Sequence, residues 1–177
     1  HGAFRIVVDA ENGEEIFREN EIYQNHEGTG AAYLTNPVNG KPEKVRLRYL
    51  TSSKLSGLYC EIKNAKAPEA ENNSGVHVYS TDSTHFAEVN VYYHVNLVRD
   101  HFAGMGFIAL NTPVKAVVHY GNNFDNALFD PIFNILGFGD GYHNNNYAYD
   151  DSVIYHEYSH YVLHQIVKLD KKGEAGA

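Results

Sequence analysis

Short runs of alternating apolar and polar residues fill the first half of the chain, a pattern typical of half-buried strands. Residues 4–9 and 15–18 predict two strands that return on each other as a hairpin across a short turn. Residues 45–50 alternate apolar with basic side chains and predict a further strand, with residues 55–62 as its neighbour. Between these segments, residues 25–42 are rich in glycine and proline, which predicts a loop or linker.

The second half of the chain holds two long segments with apolar residues at helical spacing. The first spans residues 81–103, and either Thr81 or Asp82 could cap it. The second spans residues 151–169, and its acidic first turn suits the positive end of a helix dipole.

The segment between these helices begins with a β-branched run. Residues 114–120 predict a strand, whereas residues 121–149 are rich in Gly, Asn and Asp and predict mostly loop. The order of strands, helix, strand, loop and helix predicts an α+β fold, with a twisted sheet and two long helices.

Charge and composition exclude several classes of partner. The net charge of −8 argues against nucleic acid and against an anionic membrane surface. No apolar stretch is long enough to span a bilayer. Cys60 is the only cysteine, so no internal disulfide forms, and its place in a predicted strand indicates a buried small side chain.

His156 and His160 lie four residues apart on the second predicted helix, which places both imidazoles on one face. Two such imidazoles can bind one zinc ion, and Glu157 can take a proton from a water on that ion. The spacing predicts a metallopeptidase-type metal site with Glu157 as general base. An ordinary amphipathic helix with exposed histidines remains the alternative, because the chain has 11 histidines.

Five segments together resemble the thermolysin-like and fungalysin-like (gluzincin, HExxH) zinc metallopeptidases. Residues 150–160 resemble the active-site helix of that family, and residues 86–102 resemble the long helix that precedes it. Residues 118–120 and 126–129 look like the edge strand that pairs with substrate, and residues 139–141 match the turn after it. The resemblance implies a zincin-like N-terminal lobe whose second helix carries the HExxH motif.

The family resemblance also implies roles, a cofactor and a setting. Asn126 and Ala127 would hydrogen-bond the backbone of a peptide or protein substrate, and Zn²⁺ would be the cofactor. The protein would be a secreted hydrolase made as a zymogen. Ser152 stands where the family usually has a calcium ligand, so Ca²⁺ is expected only if Asp140, Asp150 and Asp151 form another site.

The resemblance divides the chain into two parts. Residues 1–24 would be the C-terminal hairpin of a propeptide, and residues 25–177 the N-terminal lobe of the catalytic domain. The family's third zinc ligand, a glutamate, would fall three residues beyond Ala177, and the C-terminal lobe would also lie outside the chain. We therefore expect the chain alone to be nearly inactive, because two imidazoles leave the zinc tetrahedron half filled.

Two functions from different classes remain open on the sequence. One is a zinc endopeptidase precursor, in which residues 1–24 could also act as an inhibitory remnant. The other is a non-catalytic zincin-like module used for binding or assembly. The remaining histidines that we considered, His85, His94, His101 and His119, are predicted to be packing or surface residues rather than metal ligands.

Overall fold

The structure is a computed structural model that describes residues 4–8, 15–20, 26–107, 110–142 and 145–167. The strands in this part of the chain are β1 (Phe4–Val8), β2 (Glu15–Asn20), β3 (His26–Ala32), β4 (Glu43–Leu50), β5 (Cys60–Asn64), β6 (Val76–His77), β7 (Val114–Val118), β8 (Ala127–Asp130) and β9 (Ile135–Phe138). Two long helices, α1 (Thr84–Gly104) and α2 (Asp151–Val167), accompany them, and a 3-10 turn covers Tyr147–Tyr149. The predicted α+β class is confirmed.

The strands of the described residues form three separate sheets. β1 and β2 make the predicted antiparallel hairpin. The second sheet has the order β4-β3-β6, and the third has the order β5-β7-β9-β8. β5 is not the neighbour of β4, because it pairs in parallel with β7 in the third sheet. In that sheet β8 runs antiparallel to β9 and lies at the edge.

The prediction of a loop or linker over residues 25–42 was wrong, because this segment contains strand β3. The glycines that suggested a loop are there because the strand is closely packed. A Cβ at Gly28 would come within 2.6 Å of the carbonyl oxygen of Gly75, and one at Gly30 within 2.6 Å of a methyl group of Val89. A larger side chain at either position would therefore collide with its neighbours.

The predicted loop 121–149 was also wrong in part, because β8 and β9 lie within it. Each of these strands has only four residues, and polar turn residues surround both. Such short strands leave little periodicity for a sequence pattern to reveal.

Helix α1 lies at the centre of the protein and is buried on most of its faces. It packs against β3, β4, β5 and α2. Its cap is Ser83 rather than the predicted Thr81 or Asp82, and the Ser83 hydroxyl accepts a hydrogen bond from the His85 amide at 3.3 Å. Four polar residues of α1 are buried among the apolar ones, namely Glu88, Asn90, His94 and Asn96.

Helix α2 begins one residue after Asp150, whose carboxylate accepts a hydrogen bond from the amide of Ser152 at 2.9 Å. The predicted acidic helix start is confirmed. The predicted end at residue 169 lies outside the described residues. Of the helices that the structure describes, none combines the length and the apolar composition needed to cross a membrane.

Candidate metal and peptide site

A cleft with a volume of about 420 Å³ lies between β8 and α2. Its lining consists of Asn126, Ala127, Leu128, Phe129, Pro131, His156, Glu157, His160, Leu163 and His164. The cleft therefore brings together all five residues that the sequence singled out. A second depression continues it toward the start of α2, past Tyr147 and Ser152.

Two of the three imidazoles of α2, those of His156 and His160, converge at this cleft. The Nε2 atoms of His156 and His160 are 3.0 Å apart, and the ring planes lie at 80° to each other. Two nitrogen ligands of a tetrahedral zinc ion would be about 3.3 Å apart, given Zn–N distances of about 2.0–2.1 Å. The pair therefore fits two of the four positions of a zinc ion with only a small adjustment.

The described residues supply no further ligand at this point. Among them, no group of three or more His, Cys, Asp or Glu side chains is arranged to hold a metal ion. A structural zinc site normally has four protein ligands and a catalytic one three. The histidine pair alone therefore does not make a complete zinc site.

Glu157 faces the same cleft, but its side chain is largely buried, and only 8% of the residue is exposed. Burial raises the pKa of its carboxyl group, while His156, His160 and the backbone amide of Phe129 oppose that rise. A carboxyl group with a raised pKa holds and releases a proton nearer to neutral pH, which suits a general acid or base.

Backbone groups of β8 form the opposite wall of the cleft. The Gly139 amide donates to the Asn126 carbonyl at 3.0 Å, which makes Asn126 a hydrogen-bonded position of the β8–β9 pair. Such positions alternate along antiparallel strands, so Leu128 also bonds inward. Ala127 and Phe129 consequently direct their backbone N–H and C=O groups toward the free edge. Asn126 has its exposed side chain available for contacts in the cleft.

Tyr155, the residue before His156, is held in place by a hydrogen bond to His94 of α1. The hydroxyl of Tyr155 lies 2.8 Å from Nδ1 of His94, and Nε2 of His94 lies 2.8 Å from the carbonyl oxygen of Tyr33. Burial lowers the pKa of His94 and raises that of Tyr155, so both are neutral. A carbonyl can only accept, so Nε2 of His94 carries the proton and Tyr155 donates to Nδ1.

Asn90 makes a second connection between α1 and the start of α2. Its side-chain oxygen accepts from the amide of Tyr33 at 2.8 Å, and its side-chain nitrogen donates to the carbonyl of Ala148 at 2.8 Å. Ala148 lies in the 3-10 turn that leads directly into α2. The position of the face of α2 that carries His156 and His160 therefore depends on hydrogen bonds in the interior as well as on apolar packing.

The alternative calcium site considered for Asp140, Asp150 and Asp151 is not assembled among the described residues. Asp140 accepts from Asn146 at 2.9 Å and is paired with Lys66 and His119. Burial alone would raise the pKa of the Asp140 carboxyl group, but the hydrogen bonds from Lys66 and His119 keep that pKa low. Protein donors thus take the place that a cation would occupy.

The histidines predicted to be structural lie away from the cleft. His85 bonds Glu88 at 2.8 Å, His94 is buried between α1 and α2, and His101 is exposed near the end of α1. His119 reaches the carbonyl of Thr84 at 3.0 Å. Cys60 is fully buried as predicted, and burial raises the pKa of its thiol.

Two residues of the cleft were missed by the sequence analysis. Phe129 was noted only as part of an edge strand, although its amide faces Glu157 and its ring packs against α2. His164 continues the helical spacing of His156 and His160 by one more turn and lines the same cleft. That spacing was visible in the sequence and could have identified His164.

An α+β domain with a histidine pair and a buried glutamate facing an edge strand belongs to the class of metallopeptidase-like domains. The chain belongs to the thermolysin metallopeptidase family, whose catalytic-domain model matches residues 12–164. Members of this family are zinc-dependent peptidases. The match begins between β1 and β2, and the predicted boundary at residue 24 stays a prediction. A comparison with curated proteins gave no match.

Proposed function

We propose that this chain carries the metal-binding and proton-transfer residues of a zinc-dependent endopeptidase. The observation that supports this most strongly is the convergence of three groups on one cleft. These are the ring nitrogens of His156 and His160, 3.0 Å apart, and the buried carboxyl group of Glu157. The family relationship supports the same chemistry.

In this proposal His156 and His160 hold the zinc ion through their Nε2 atoms. A bound zinc ion would supply an activated water and would polarise the carbonyl group of the substrate. Glu157 accepts a proton from the attacking water on its carboxylate and later returns it to the amine of the leaving product. Its burial helps, because a poorly solvated carboxylate binds a proton more readily.

The peptide would lie along the free edge of β8 as an additional strand. Ala127 offers its outward backbone groups to the peptide backbone, and Asn126 offers its side-chain amide. This mode of binding selects an extended main chain with little regard to sequence, while side-chain pockets provide specificity. Unfolded or flexible protein segments and peptides are therefore the proposed substrates.

The remaining parts of the site are proposed to lie outside the described residues. The third ligand would be a glutamate, and a C-terminal lobe of the same protein would close the cleft from the other side. Residues 1–24 are proposed to be the end of a propeptide, in a protein made as a zymogen. Secretion is proposed as well, because it is typical of the family. A chain without the third ligand would bind zinc weakly and hydrolyse little.

Zinc titration of the isotope-labelled chain, followed by NMR of the imidazole resonances, tests the metal assignment. We expect His156 and His160 to shift together, at a zinc concentration lower than that which affects the exposed His101. The single variants His156→Ala and His160→Ala should each abolish the joint response, whereas His101→Ala should leave it unchanged. Equal, weak shifts of all exposed histidines would contradict the assignment and favour a non-catalytic binding module.

A further inference from the structure

His164 stands at the far end of the cleft, one helical turn beyond His160. Its ring packs on Phe129 with a centroid distance of 5.5 Å, and the same phenyl ring also contacts Tyr161, at 5.8 Å. The side chain lines the cleft together with Leu163 and Pro131. The mechanism described above assigns no role to this imidazole.

The environment of His164 determines which of its nitrogens carries the proton. Its Nδ1 atom is buried and has no hydrogen-bond partner within the described residues. Buried N–H groups without an acceptor are rarer in proteins than buried acceptors without a donor. The favoured tautomer therefore leaves Nδ1 without a proton and places the N–H on Nε2, which is left to face the cleft.

The same tautomer argues against His164 as a metal ligand. A neutral imidazole that binds a metal through Nε2 must carry its proton on Nδ1, and that N–H normally has an acceptor. His164 offers no such acceptor in the part of the chain that the structure describes. Its Nε2–H is instead suited to donate a hydrogen bond to a molecule in the cleft.

The spacing along α2 matches that of an extended peptide. Side chains on one face of a strand recur about every 6.6 Å, and residues four apart on a helix advance by about 6 Å. Helix α2 packs beside β8 and β9, so alternate side chains of a peptide added to β8 would point toward α2. The midpoint of the histidine pair is residue 158, six residues before His164. That separation is about 9 Å along the helix, or about three residues of extended peptide.

We propose that His164 is a specificity-determining residue that recognises a glutamate or glutamine side chain about three residues from the scissile bond. The side-chain oxygen would accept a hydrogen bond from Nε2–H of His164. The methylene groups of the same side chain would lie on Leu163 and Pro131, which line the same cleft. This inference rests on the proposed function, because it requires a peptide along β8.

Peptide binding to the chain with Glu157→Gln tests the inference without turnover. Labelled peptides carry a single glutamate at successive positions, and each is paired with a peptide that has methionine there, which is similar in size but lacks the acceptor. Fluorescence anisotropy gives the two dissociation constants. We expect one position to favour glutamate by about three- to tenfold, the value of one net hydrogen bond.

Two variants separate the hydrogen bond from the packing of the ring. His164→Phe keeps an aromatic ring on Phe129 but removes the donor, so the glutamate preference should fall to about one. His164→Gln retains a donor and should keep most of the preference. A preference that survives His164→Phe would overturn the inference, and so would the absence of any peptide binding at millimolar concentration.

The outcome can be separated from that of the proposed function. A preference that depends on His164, in a chain whose histidine pair fails to bind zinc, would leave this inference standing and refute the metal assignment. Zinc binding at His156 and His160 without any effect of His164→Phe on peptide choice would support the metal assignment and refute this inference.

Discussion

Replacing Asn90 by leucine removes two hydrogen bonds from the interior of the protein. Asn90 is fully buried, accepts from the Tyr33 amide and donates to the Ala148 carbonyl, both at 2.8 Å. Leucine has the same number of side-chain heavy atoms but no polar ones, so the two backbone groups would remain buried without these partners. The substitution therefore tests whether this connection stabilises the start of α2.

The expected cost follows from the two groups that lose their partner. Each buried polar group left unpaired costs about 1–3 kcal/mol, and the apolar gain of leucine offsets a part of that. We expect Asn90→Leu to lower the free energy of unfolding by about 2–5 kcal/mol. For a chain of this length, the melting temperature should fall by about 5–15 °C.

Asn96 on the same helix provides a matched control. It is also buried, but its side-chain nitrogen donates only to the Tyr92 carbonyl, at 2.8 Å, within α1. Its side-chain oxygen has no partner among the residues that the structure describes. Asn96→Leu removes the same polar group at a smaller cost, and we expect it to change stability by less than about 1 kcal/mol.

Urea denaturation followed by circular dichroism measures both variants at one pH and protein concentration. The reasoning predicts a clear loss for Asn90→Leu and a small change for Asn96→Leu. Equal losses in the two variants would refute it, because the cost would then come from placing leucine in α1 rather than from the lost connection.

Further predictions concern close packing and buried histidines. Gly139→Ala should cost about 1–3 kcal/mol, because a Cβ there collides with the carbonyl oxygen of Phe124. Gly40→Ala, in open space, should cost much less, and equal melting temperatures for the two variants would contradict the packing argument. Burial lowers the pKa of His77 and His94 despite nearby carboxylates. The contribution of these two neutral histidines to stability should therefore be complete above about pH 6.5. It should be lost as the pH falls below that value, because the unfolded chain then takes up protons that the folded protein does not. Urea midpoints at pH 8 and 5 measure this loss. It should be smaller in His77→Leu, and an equal or larger loss in that variant would contradict the assignment.

The sequence predicted the helices and the histidine pair because both depend on local spacing. Apolar residues at helical period indicated α1 and α2, and the four-residue interval of His156 and His160 placed their rings on one face. The N-terminal hairpin followed from alternation and a turn signal. These features involve residues that are near each other in the chain.

The errors in the fold prediction arose where distant segments meet. Gly28 and Gly30 suggested a loop, although they belong to a strand that must pass close to Gly75 and Val89. The pairing of β5 with β7 depends on a partner more than fifty residues away, which no local pattern reveals.

The sequence predicted the metal-binding motif of the site but not the residues that hold this motif in place. The connections that hold α2 in place run from His94 to Tyr155 and from Asn90 to Ala148, and each spans about sixty residues. The absence of a calcium site at Asp140, Asp150 and Asp151 in the described residues has the same cause. Asp140 is paired with Lys66, which lies in a distant loop and occupies the carboxylate. Long-range contacts of polar residues are therefore the part that local spacing left undetermined.

The central claim is that Glu157 transfers protons beside a zinc ion held by His156 and His160. Its most direct test is peptide hydrolysis by zinc-loaded protein that includes the third ligand, with the Glu157→Gln variant assayed alongside and its zinc content measured. The account predicts that the variant retains zinc and loses at least about 100-fold in turnover. Turnover that persists in a variant with full zinc content would contradict the account.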